Sequence, residues 1–204
     1  MHRGEMATSS NTARLAQLSM PQSCEIRIRG DMHVPMSEEG LLTPVREGRS
    51  RSPTLLLFPT ENSIELTPEW VAAQPDADKG FHLVVPDGSW KQASRVPYRV
   101  SALKDSSVIA VRLPPGPPSQ YMLRVAPRES AVCTIEAIAR ALGILEGPDK
   151  GPQVQAALEE IFHKMVERVR WSRGDVKTAD CRWPIPEAAI QSFFEAGRRG
   201  TPAQ

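Results

Sequence analysis

The chain has 204 residues, 40% hydrophobic and 24% charged, with a formal net charge of +1. That is ordinary for a soluble globular protein, long enough for one domain with a full core and at most a small appendage. Cys24, Cys133 and Cys181 form neither a disulfide framework nor a CxxC clip. His2, His33, His82 and His163 show no ligand spacing, so no metal site is expected. No apolar stretch approaches the ~20 residues of a membrane span and no secretion signal opens the chain, which makes the expected location cytoplasmic.

Taken in chain order, residues 1–24 are a polar lead-in in which Asn11-Thr12 can cap a helix carrying Leu15 and Leu18. Residues 25–29 (Glu-Ile-Arg-Ile-Arg) alternate strictly and read as a half-buried strand. A polar loop with Pro, Gly and Arg follows over 35–53. Three continuous apolar runs come next. Residues 54–58 break at Pro59, 81–85 at Pro86 and 108–113 at Pro114-Pro115; a shorter fourth run covers 121–125. Uninterrupted apolar strands are buried on both faces, which predicts a mostly parallel sheet flanked by helices. The fold class is therefore α/β.

Helices are predicted in the intervals, over residues 63–72, 88–96, 134–142 (with Gly143 as the stop) and 186–197. The longest covers 152–171, with Val154, Ala157, Leu158, Ile161, Met165 and Val169 on one stripe. The proline cluster at 114–118 is a stiff connection. Arginines gather at Arg46, Arg49 and Arg51, at Arg168, Arg170 and Arg173, and at Arg198-Arg199. Such groups suit phosphate forks of RNA, and equally a solvated surface.

Ligands of open α/β sheets sit where loops leave the carboxyl ends of strands. Three such loops stand out: residues 58–63, 86–90 and 126–134. The second holds Asp87-Gly88-Ser89-Trp90, and it has two readings. It is a turn dipeptide used for its backbone, or a carboxylate delivered to the rim of the sheet. No glycine-rich dinucleotide loop, Walker loop or Ser-His-Asp grouping is present. The residues alone define a small polar ligand at these loops.

Asp87-Gly88-Ser89-Trp90, with Lys91-Gln92-Ala93 after it, resembles the Asp-Thr-Trp box of the DTW-domain proteins in its Asp-Gly-Ser/Thr-Trp variant. Three further blocks resemble the family in order and spacing. They are Asn11-Thr12-Ala13-Arg14-Leu15 with His2 and Glu5 upstream, Leu57-Phe58-Pro59-Thr60-Glu61, and Arg128-Glu129-Ser130-Ala131-Val132-Cys133-Thr134-Ile135-Glu136. The resemblance covers roughly residues 2–195. The cysteine-rich, zinc-binding segment that many relatives carry before the His-x-x-Glu block is not in this sequence.

The resemblance implies a SPOUT-like domain over residues 31–204 with a C-terminal trefoil knot, and residues 1–30 as an extension packed on it. It implies S-adenosylmethionine as donor of a 3-amino-3-carboxypropyl group to uridine N3 of tRNA. Alternatives are an rRNA aminocarboxypropyltransferase, a SPOUT-type methyltransferase and a non-catalytic RNA-binding module. By the resemblance Asp87 is the base or the orienting acceptor. Pro59, Thr60, Glu61, Gly88, Ser89, Trp90, Arg128, Glu129, Ser130, Val132, Cys133, Thr134 and Glu136 face the cofactor. Asn11, Arg14, Lys91 and Arg95 face RNA.

Overall fold

The structure is a computed structural model that describes residues 10–28, 52–75, 77–96, 108–123 and 131–199, apart from the side chains of Trp90, Phe193, Phe194 and residues 196–199. The three long apolar runs become β1 (Thr54–Leu57), β3 (His82–Val84) and β4 (Val108–Arg112), joined by a two-residue strand β2 (Ile64–Glu65). The sheet order is β2-β4-β1-β3 and every pair is parallel. Leu55 of β1 sits opposite Leu83 on one side and Ile109 on the other. The expected mostly parallel α/β architecture is what the chain forms.

The helices are α1 (Thr12–Ser19), α2 (Pro68–Ala72), α3 (Trp90–Ala93), α4 (Thr134–Leu145), α5 (Gly147–Ser172) and α6 (Glu187–Arg199). Helix α4 is the keel. Its Ala137, Ala141, Ile144 and Leu145 pack on the sheet face formed by Leu55, Leu57 and Val111. Its Ile135, Ile138, Ala139 and Leu142 meet Ala16 of α1 and Leu158, Phe162 and Val166 of α5. A helix covered on both sides must be apolar nearly all round, and the sequence TIEAIARALGIL is. Each fully buried Leu or Ile of this core contributes about 1.5–3 kcal/mol relative to exposure.

Several expectations are corrected. Residues 25–28 form no strand; nothing in the described sheet pairs with them, and Glu25 and Arg27 instead join their side chains at 3.2 Å. Residues 121–123 are a turn, because Tyr121 is drawn onto Phe162 of α5 rather than into a ladder; residues 124–125 lie outside the described set. The stretch 63–72 divides into β2 and α2, with Thr67 capping α2 through its hydroxyl. Gly143 does not stop α4. A Cβ built there would strike Gln155 of α5, and one on Gly151 would strike the Gly143 carbonyl, so both glycines serve a close helix crossing. The turn falls instead at Gly147, whose φ is +77°. On α5 the buried stripe is Leu158, Phe162 and Val166 with Val154 half-buried beside it, while Ile161 is exposed and Ala157 faces solvent.

Candidate active site

Because the four described strands are parallel, their carboxyl ends share one edge, and a cavity opens there. It measures about 450 Å³, within the usual range of small-molecule sites. Leu57, Phe58 and Pro59 after β1, Val85, Pro86, Asp87 and Gly88 after β3, and residues 112–116 at the end of β4 form three walls. Ser10, Asn11 and Thr12 before α1, Tyr121, and the α4 residues Thr134, Ala137 and Arg140 complete it.

Asp87 enters this cavity from the tip of β3. The Thr134 hydroxyl donates to its Oδ1 at 2.6 Å, and Oδ2 is also withdrawn from solvent. The turn that follows needs glycine: residue 88 has φ +150°, outside the range side-chain-bearing residues favour. Of the two readings of Asp87-Gly88, the structure gives both at once, a turn that also delivers a carboxylate. Ser89 then exchanges bonds with Gln92, its N–H donating to Oε1 at 2.8 Å and its Oγ accepting from the Gln92 N–H at 3.4 Å, which starts α3.

Helix α4 carries only three polar side chains, and each meets the cavity or its walls. Thr134 holds Asp87. Glu136 is buried and accepts from the Gln120 N–H at 2.7 Å, the Ser119 hydroxyl at 2.5 Å and the Cys133 N–H at 2.8 Å. It caps α4 and ties the segment after β4 against it. Arg140 lies two turns along the face of Thr134 and Ala137 and lines the cavity.

Charges of both signs come from Glu65 of β2 and Arg112 of β4. These pair at 3.7 Å, and Arg112 also donates to the Ser63 carbonyl. Both members are about 40% exposed (42% and 39%), so the pair contributes at most ~1 kcal/mol and matters more as cavity chemistry. The N-terminal wall is fixed by Tyr121, whose hydroxyl donates to the Ser10 carbonyl at 2.8 Å. Cys133 lines the cavity as a neutral thiol. Burial, and the Glu136 carboxylate beside it, push its pKa far above the usual thiol range.

Of the residues expected at the cofactor, Pro59, Gly88, Val132, Cys133 and Thr134 line the cavity with Asp87. Thr60 is taken up in a tight turn, its N–H donating to Ser63 Oγ at 3.1 Å, and Glu61 is exposed outside the lining. Ser89 is exposed and caps α3, and Glu136 acts as the brace described above. Arg128, Glu129 and Ser130 lie outside the described residues, as does the Trp90 side chain. Asn11 lines the cavity and caps α1, accepting from the Arg14 N–H at 2.8 Å. Arg14, Lys91 and Arg95 are exposed and set back from the cavity.

Sequence reasoning missed Glu65, Arg112, Arg140 and Tyr121. The signal for the β4 end was present, since residues 108–113 break at proline as the other two runs do. Among the described residues no helix is long and apolar enough to cross a membrane.

A parallel sheet flanked by helices, with a cavity at its strand tips, defines an α/β domain. Residues 1–170 match the DTW domain, and the chain belongs to the DTW-domain family. A curated relative, tRNA-uridine aminocarboxypropyltransferase 2 of Drosophila melanogaster, is 30% identical over 115 residues, which are 55% of this chain and 41% of that protein. The chain thus matches less than half of that relative's length. No solved structure matches the chain.

Proposed function

We propose that the protein transfers the 3-amino-3-carboxypropyl group of S-adenosylmethionine to N3 of a uridine in tRNA. The observation that carries this reading is Asp87, held by Thr134 at the edge of a cavity of about 450 Å³. Family membership and the named activity of the fly relative support it.

The donor set fits such a ligand. Leu57, Phe58, Pro59, Val85, Leu113 and Val132 offer an apolar slot for a flat purine. Glu65 suits hydroxyl or ammonium groups, while Arg140 suits a carboxylate. When bound, S-adenosylmethionine would supply a γ-carbon made electrophilic by the adjacent sulfonium, open to bond formation with N3 as its carbon–sulfur bond breaks and methylthioadenosine is released.

Asp87 accepts the N3 proton, or the hydrogen bond that orients N3, as the new bond forms. Thr134 fixes which face of the carboxylate is presented. The apolar lining keeps water from the reacting centre. Arg14 on α1, Lys91 on α3 and Arg95 just after it are exposed outside the cavity and meet RNA phosphates.

Incubation with labelled cofactor and total tRNA, followed by mass spectrometry of nucleosides and spent cofactor, tests this. Aminocarboxypropyluridine together with methylthioadenosine is the expected result. S-adenosylhomocysteine in place of methylthioadenosine means methyl transfer, and modified rRNA with unmodified tRNA moves the substrate. Asp87→Ala is expected to keep the fold and cofactor binding and to lose about 10²–10⁴-fold in transfer.

A further inference from the structure

We infer that Arg140 holds the carboxylate at the amino-acid end of the ligand, so that the cavity selects a nucleoside carrying an α-amino acid over one without it. The inference rests on the donor reading above and names the residue that enforces it. Three observations carry it. The first is that α4 is buried between sheet and helices, and its other two polar side chains already have protein partners in Asp87, Ser119, Gln120 and Cys133. Arg140 alone of the three makes no hydrogen bond or ion pair with any described residue.

The second is position. A Cβ on Gly116 would lie 3.3 Å from Arg140 Nη1, which places the guanidinium against the wall formed after β4. The third is the charge around it. Arg112 is already engaged by Glu65 and the Ser63 carbonyl, whereas Arg140 is a partly buried cation in a cavity of mixed lining. A guanidinium removed from water is stabilised by a planar carboxylate that takes two of its N–H groups. A phosphate dianion would meet Asp87 and Glu65 in the same cavity; a zwitterionic amino acid offers an ammonium to Glu65 and a carboxylate to Arg140.

Calorimetry on the full chain separates the possibilities, with S-adenosylmethionine and methylthioadenosine as the two probes. They share the nucleoside and differ in the aminocarboxypropyl group. Arg140→Gln is expected to weaken S-adenosylmethionine roughly 10- to 100-fold and to leave methylthioadenosine within about twofold. Arg140→Lys, keeping charge without the fork, is expected to recover part of the loss. Equal weakening of both probes, no weakening of either, or a loss confined to tRNA affinity overturns the role of Arg140 alone. If the unsubstituted protein binds neither probe, the donor reading fails first and this one falls with it.

Discussion

The hydroxyl of Thr134 reaches 2.6 Å to Oδ1 of Asp87, joining the tip of β3 to the first residue of α4 across 47 positions of sequence. That bond sets the direction of the carboxylate instead of leaving it to a loop. Thr134→Val keeps the shape and removes the donor. The expected outcome is a drop in transfer rate of about 10- to 100-fold, from the ~1–3 kcal/mol that a buried polar group forfeits when a partner is lost. Cofactor affinity by calorimetry is expected to change little, which separates misdirection of Asp87 from collapse of the site.

Glu136 holds the segment after β4 by accepting from Ser119, Gln120 and Cys133 at once. In Glu136→Gln one acceptor oxygen becomes an NH₂ group facing donors. A loss of about 1–3 kcal/mol in urea unfolding is expected. Ligand affinity should fall as well, although Glu136 is not in the cavity lining, because Gly116 and Tyr121 are carried on the segment it braces.

The crossing of α4 and α5 depends on glycine at 143 and 151. Gly151→Ala places a methyl on the Gly143 carbonyl, a backbone atom that cannot rotate aside. Overpacking of this kind costs about 1–3 kcal/mol, against less than ~1 kcal/mol gained in helix propensity. A lower Tm is the expected reading, at roughly 2–4 °C per kcal/mol for a chain of this size.

Burial lowers the pKa of His82 below the ordinary histidine range, and the Arg27 guanidinium adds to this against a smaller opposing effect of Glu25. The folded state therefore binds fewer protons at this site than the unfolded chain. Stability rises with pH in the window between the lowered folded pKa and about 6.5, and is lost as pH falls through it. Replacing the ring by glutamine removes that slope. Melting curves from pH 8 to pH 5 should converge for the two proteins at the acid end relative to their separation at pH 8.

The three long strands and the start of α4 were legible because their signals are local. Apolar runs ending at proline mark strands, and the mostly apolar stretch 134–142 marks the body of α4. What failed was decided by partners far away in sequence. Gly143 reads as a helix stop until α5 is brought against it, and the apolar residues 121–123 look like a strand until Phe162 claims Tyr121. Asp87 was found because a turn dipeptide and a family motif coincide there. Arg140 was not, since one arginine in an apolar helix shows nothing in sequence of the space it points into.

Backbones that touch cannot slide. With Gly143 and Gly151 in near contact, α4 is locked to α5, and Thr134, Ala137 and Arg140 cannot tilt without dragging a 26-residue helix along. Any tightening around a captured molecule must therefore come from the opposite bank, where Pro59 and Gly88 sit on short strand-end loops. The α4 side of the cavity, with Asp87 tied to it through Thr134, is cast once, at folding.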